Sequence, residues 1–263
     1  MRFTKMHALG NDYVYVDGFR DPLPADPAAA AVKVSRFHTG IGSDGLILIE
    51  PCEGYDARMR IFNADGSEAE MCGNGLRCVA KYLHDEGHAK DPVIRVLTGA
   101  GLRTAQVLPD GTVRAGMGMP LLLGSLSLTV PNAGPLTFYR VSAGNPHAVT
   151  FDAYEEGSAF YEDGRAVETD RAFPEGTNVE FVRVSGENEL DVRVWERGSG
   201  ATLACGTGAC AVLAAAYSLK KTGPSAVIRL PGGPLKAELD PGTGEVSITG
   251  EAVRVFTGEW TEI

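Results

Sequence analysis

The chain has 263 residues, 44% of them apolar, and carries 34 acidic against 24 basic side chains for a net charge of -10. That apolar content can fill one large core or two of roughly 130 residues, and the negative balance repels nucleic acid and anionic membrane surfaces, which excludes both as partners. No stretch approaches the roughly 20 apolar residues that a membrane-spanning helix requires.

Residues 1 to 18 alternate apolar and polar positions around Lys5, Asp12 and Asp17, a pattern that predicts two strands and lacks the apolar block of a signal peptide. Arg58 to Phe62 alternates at period two. Leu76, Val79, Ala80 and Leu83 then recur at helical spacing until Gly87. Pro120, Gly124, Pro131, Gly134 and Pro135 mark a join over residues 117 to 135. Beyond it Asp191 to Trp195 alternates again, and Cys210 to Leu219 is apolar nearly all round, which predicts a buried helix.

The order of these features repeats. Ala8-Leu9-Gly10-Asn11 resembles Ser142-Ala143-Gly144-Asn145, and Gly42-Ser43-Asp44 resembles Gly176-Thr177-Asn178, each 134 residues apart. Met71-Cys72-Gly73-Asn74-Gly75 resembles Ala204-Cys205-Gly206-Thr207-Gly208 at 133. The chain is therefore expected to be an α+β protein of two pseudo-symmetric halves, each a mainly antiparallel twisted sheet around one central helix. The halves are residues 1–117, carrying Cys72, and 118–251, carrying Cys205. The last strand, within 252–263, could return to either.

Cys52, Cys72, Cys78, Cys205 and Cys210 are odd in number and irregularly spaced, so a secreted disulfide framework fits poorly and a reducing cytoplasm fits well. They lack zinc-ligand spacing, and no metal is expected. Cys72 and Cys205 each fall at the first turn of a helix, where backbone N–H groups and the helix dipole are expected to lower a thiol toward neutrality. A single cysteine at such a corner is more often a small buried hydrophobe. Two at equivalent places of a repeat, flanked by Gly73, Gly75, Gly206 and Gly208, point to chemistry. Pseudo-symmetry would set the thiols on opposite faces of a cleft, one taking a proton from a carbon and the other returning one. Gly206-Thr207-Gly208-Ala209-Cys210-Ala211 also satisfies a dinucleotide-binding pattern, but the acidic residue that should follow it is missing from residues 225 to 231.

Taken in order, Leu9 to Asp12, Phe62 to Ser67, Met71 to Gly75, Gly144 to His147, Gly176 to Asn178 and Glu196 to Gly208 resemble the diaminopimelate epimerase family along essentially the whole chain. The resemblance implies an isomerase that interconverts LL- and meso-diaminopimelate for lysine and cell-wall synthesis, without pyridoxal phosphate or metal, as a homodimer. It implies Cys72 and Cys205 as the proton-transfer pair, with His147 and Glu196 as auxiliary groups tuning them. Backbone groups of Gly73, Asn74, Gly206 and Thr207 would hold the reacting carboxylate, while Asn11, Asn63, Asn145, Asn178 and Arg197 would read the distal end, Arg197 as a buried fork. Glu196 counts among the substrate-binding residues as well. Cys78 and Cys210 are expected in the core. Gly45 departs from the family pattern, in which several members carry Gln. Two other readings stay open: a two-thiol racemase of the proline or hydroxyproline type, and a non-catalytic redox switch in which the two cysteines form a disulfide.

Overall fold

The computed structural model describes residues 1–152, 157 and 159–261, so the last two residues of the expected final strand lie outside the described residues. The chain divides into one unit of Met1–Ala115 with Gly250–Ile263 and a second of Gly116–Thr249.

The first unit contains β1 (Arg2–Ala8), β2 (Asn11–Asp17), α1 (Pro27–Ser35), β3 (Gly45–Glu50), β4 (Ala57–Asn63), β5 (Glu68–Ala69), α2 (Gly73–Asp85), β6 (Val93–Thr98), β7 (Gly101–Val107) and β8 (Val113–Gly118), in which the chain passes from one unit to the other. The second contains β9 (Leu121–Val130), β10 (Gly134–Ser142), β11 (Pro146–Thr150), α3 (Ala159–Glu168), β12 (Asn178–Gly186), β13 (Glu189–Glu196), β14 (Gly200–Thr202), α4 (Gly206–Ser218), β15 (Ser225–Leu230), β16 (Gly233–Leu239) and β17 (Val246–Gly250). β18 (Val253–Glu259) follows and pairs with β1.

The pairings repeat strand for strand. In the second unit β9–β10–β11 is antiparallel, β11–β12 parallel, β12–β13 antiparallel, β13–β15 parallel and β15–β16–β17 antiparallel. In the first, β18–β1–β2 is antiparallel, β2–β3 parallel, β3–β4 antiparallel, β4–β6 parallel and β6–β7–β8 antiparallel. Thus β18 is the counterpart of β9, and its return completes the first unit's set. In the chain the units meet at Ala115 and Gly116, beside the stretch read from sequence as a join, and most of that stretch is strand, because β9 is needed on β10.

Among the described residues each unit has two helices where the sequence suggested one, and the parallel pairings are the reason. A parallel pair needs a crossover connection, usually a helix. The missed helices α1 and α3 cross over at β2–β3 and β11–β12, while α2 and α4 serve β4–β6 and β13–β15. A start signal for α1 was present: Asp26 caps it by accepting from the Ala29 N–H at 3.0 Å, and Pro27 occupies its first turn.

Period-two alternation sorts the strand residues between these helices. Val14, Val16, Leu46, Leu48 and Phe62 pack with Ala30, Ala31 and Val34 of α1, while Ile47 of β3 meets the first turn of α2. β3 is buried on both faces, which is why it reads Leu-Ile-Leu-Ile without polar interruption. In the second unit Val179 and Phe181 join Phe138, Phe160, Val167 and Phe173 under α3, and alternation turns Asn178 and Glu180 to the opposite face, toward α4.

Gly164 seats α3 on Trp195: a Cβ there would stand 2.8 Å from the indole Cγ. Gly to Ala in a helix normally gains roughly 0.5–1 kcal/mol, but this clash costs about 1–3 kcal/mol. Gly164→Ala should therefore lower stability in urea unfolding monitored by Trp fluorescence; a gain would show that α3 sits clear of Trp195.

Candidate active site

Cys72 is the N-cap of α2, in extended backbone conformation, and its Sγ accepts the Gly75 N–H at 3.3 Å. Its Sγ also lies 3.5 Å from Asn11 Oδ1, to which it donates when protonated. The Asn11 amide is oriented from behind, since its Nδ2 donates to Asp44 Oδ2 at 2.7 Å and the same oxygen accepts the Asp12 N–H at 3.0 Å. Burial pushes the Asp44 carboxyl up, against these hydrogen bonds. Buried Lys5 closes the cluster by binding the Asp12 carboxylate and the Gly42 carbonyl. Asn74 turns its side chain inward, where Oδ1 accepts from the fully buried Arg77 at 2.8 Å. Asn63 Nδ2 donates to Ser67 Oγ at 3.0 Å. Gly45 admits no side chain, because a Cβ there would run into the Phe62 carbonyl and the Tyr13 ring.

Cys205 repeats the motif as the N-cap of α4. Its Sγ accepts the Gly208 N–H at 3.4 Å and lies 3.5 Å from Thr207 Oγ1. The surroundings differ. Glu196 receives a bond from Thr202 Oγ1 at 2.6 Å and one from the Cys205 thiol. His147 Nδ1 lies 2.6 Å from Glu180 Oε1 with both side chains fully buried, and its Nε2 lies 2.9 Å from Asn145 Oδ1.

The thiol expectation is corrected at Cys205. Burial first, then the charges of Glu196 and Glu180, push this thiol well above its ordinary range, outweighing the Thr207 and Gly208 bonds that lower it. Two hydrogen bonds at a helix end do not offset the loss of water beside two carboxylates. Glu196 is pushed up by burial in turn.

Arg197 also differs from expectation. It is exposed, because its own backbone N–H is held by Asn178 Oδ1 at 3.0 Å and its Nη1 donates outward to the Glu175 carbonyl at 3.0 Å. It borders a cavity of about 460 Å³ behind α3, together with Glu168, Asp170 and Phe173. Gly176, at φ 72°, permits that course, since a Cβ there would stand 3.0 Å from Arg197 Cδ. Asn178 spends its Nδ2 on the Pro146 carbonyl at 2.9 Å.

The structure thus gathers Asn11 beside Cys72, and His147, Asn145 and Glu196 around Cys205. Sequence reasoning gave Asp44 and Glu180 no role. The signal for Glu180 was a lone acid inside the apolar strand Val179-Glu180-Phe181-Val182. Cys78 and Cys210 are buried, and burial pushes Cys78 up to about 12. Among the described residues no cluster of His, Cys, Asp and Glu could hold a metal ion, and no helix is long and apolar enough to cross a membrane.

The family model described as diaminopimelate epimerase matches residues 3–123 and 139–255. Similar proteins include the diaminopimelate epimerase of Desulforudis audaxviator, 46% identical over 275 residues with 99% of each chain covered. That of Geobacillus thermodenitrificans is 46% identical over 276 residues, covering 97% of this chain and 95% of the other. In fold, the chain resembles a PhzF-family phenazine biosynthesis protein of Bacillus anthracis, with TM-score 0.77, 16% identity and 99% of each chain covered. It also resembles a probable proline racemase of Agrobacterium radiobacter, with TM-score 0.75, 17% identity and coverage of 100% of this chain and 93% of that one.

Because the Glu196 carboxyl is raised in the folded protein, its contribution to stability is fully present below the usual 4.5 and is lost as pH rises through the raised value. Glu196→Gln, which keeps the acceptor for Thr202, should match the parent's melting temperature in acid and exceed it at neutral pH. Equal melting at both would show that the carboxylate is adequately solvated.

Proposed function

The chain belongs to the diaminopimelate epimerase family and is an isomerase, and on that premise we propose that it interconverts LL- and meso-diaminopimelate by proton transfer at Cys72 and Cys205. The observation that carries this reading is the repeated motif, a cysteine at the head of a buried helix with a glycine N–H on its sulfur. Inversion requires a proton taken from one face of the α-carbon and another delivered to the opposite face, so one member of the pair must be thiolate while the other is thiol. The carboxylate surroundings of Cys205 suit it to hold that proton in the resting enzyme, leaving Cys72 as the base. The roles exchange in reverse.

Backbone N–H groups of Gly73, Asn74, Gly206 and Thr207, at the positive ends of α2 and α4, would take the carboxylate of the reacting centre and stabilise the charge that grows on it as the carbanion forms. Asn11 would act at Cys72 as well as on substrate, accepting from its thiol whenever Cys72 carries the pair's proton. Asn63, Asn145, Asn178 and Arg197 would bind the distal amino acid end, Arg197 from the border of its cavity. His147 and Glu196 tune Cys205. On this reading the N–H groups at the helix heads stabilise the carbanion's charge and the thiols carry the protons, so no pyridoxal phosphate or metal is called for.

A place in lysine and peptidoglycan precursor synthesis follows from that substrate, and five free cysteines suit the cytoplasm. A homodimer is supported by the exposed run of Met119, Leu121, Leu122 and Leu123 at the start of β9.

Proton NMR of LL-diaminopimelate in D2O, with reduced protein and no cofactor, should show loss of the α-proton signal and growth of the meso isomer. Cys72→Ala and Cys205→Ala should each slow this by about 100- to 10,000-fold; unimpaired variants, or inversion of proline instead, would refute the assignment. In sedimentation velocity the parent should run as a dimer and the Leu121→Lys, Leu123→Lys double variant as a monomer. A monomeric parent would remove the dimer.

A further inference from the structure

The two thiol motifs are alike in backbone and unlike in what lies beneath them. A Cβ on Gly75, whose N–H binds Cys72, would meet Ile47 Cδ1 at 2.7 Å. A Cβ on Gly208, whose N–H binds Cys205, would meet Glu180 Oε1 at 2.8 Å. Ile47 and Glu180 lie 133 residues apart, the same separation as Cys72 and Cys205 and one less than that of the Gly42–Asp44 and Gly176–Asn178 motifs before them. Strand register agrees. Ile47 lies two residues beyond Gly45, the partner of Tyr13, and Glu180 two beyond Asn178, the partner of His147.

A carboxylate thus replaces a packing residue at one of two otherwise matched positions, and burial there is costly unless the charge is used. Glu180 is fully buried. Its Oε1 takes the short bond to His147 Nδ1, and its Oε2 has no hydrogen-bond partner among the described residues. The charged and titratable groups facing Cys205 are Glu196 from β13 and Glu180 from β12, and His147 of β11 reaches the thiol's surroundings through Glu180. Glu196 receives bonds from Thr202 and from the thiol, whereas Glu180 has one oxygen on His147 and the other, among the described residues, without a partner.

We propose that Glu180 is the positioning residue that makes the two thiols unequal: it holds His147 with Nδ1–H toward itself, and its charge beneath the Gly206–Gly208 turn keeps the pair's single proton on Cys205. This deepens the epimerase reading and rests on it for the word catalysis, but the proton placement itself can be read without substrate. Burial and Coulomb repulsion both act in the required direction at Cys205. At the equivalent place in the first unit Ile47 contributes no charge.

The test is a pH titration of thiolate ultraviolet absorbance in the full-length reduced protein, with Cys205 assigned by difference from Cys205→Ser and Cys72 by difference from Cys72→Ser. Glu180→Gln should lower the Cys205 midpoint by about one pH unit or more, a tenfold rise in thiolate fraction, and leave the Cys72 midpoint in place. Glu180→Asp, which keeps the charge, should stay near the parent. Glu180→Ile imports the residue the first unit already uses at this place, so it carries the same expectation if the amide variant fails to fold. An unchanged Cys205 midpoint, or equal shifts at both cysteines, would overturn the proposal. Turnover of diaminopimelate by the parent, measured separately, decides the epimerase reading: a Cys205 shift without turnover would leave Glu180's role standing, and turnover without a shift would leave only the epimerase.

Discussion

A backbone N–H directed at a cysteine sulfur, from Gly75 to Cys72 and from Gly208 to Cys205, is the interaction around which each unit is built. For it to form in a protein interior, a helix must begin deep in the core with its first turn facing a sheet. Parallel pairing of β4 with β6 and of β13 with β15 enforces that by requiring a helical crossover between the paired strands. The glycines follow from the same demand. A side chain at Gly75 or Gly208 would collide with the strand beneath before the turn could approach it.

On this duplicated scaffold the two units have diverged in charge rather than in shape. Around Cys72 the polar groups include an amide held by a carboxylate, Asn11 on Asp44, with Lys5 answering Asp12 nearby. Around Cys205 they are Glu196, Glu180 and His147. Identical surroundings would leave a shared proton without preference between two coupled thiols, and these surroundings differ. Divergence at positions facing the helix heads supplies that difference without altering the fold, because those side chains pack beneath the turn and leave its backbone unchanged.

The cost of this arrangement lies in buried charge. Glu180 has one oxygen satisfied by His147 and one unsatisfied, and Glu196 depends on a hydroxyl and a thiol. A packed apolar residue would serve stability better at either place, as Ile47 does in the first unit. Retention of carboxylates there is intelligible as a functional expense, met elsewhere by the apolar layers under α1 and α3.

Local patterns in the chain were enough for the two-unit repeat, the α+β class and the helices headed by Cys72 and Cys205, because turn glycines, helix caps and period-two strands survive duplication. α1 was missed although Asp26 and Pro27 signal its start. Only the tertiary structure decided that β18 stands in for β9, that Arg197 runs outward to the Glu175 carbonyl, and that Glu180 lies beneath the Cys205 turn. Each of these joins residues distant in the chain. The direction of the Cys205 thiol was decided in the same way: the helix terminus is visible locally and argues for a lowered value, but burial and two carboxylates from neighbouring strands outweigh it, and neither can be seen until the strands are placed.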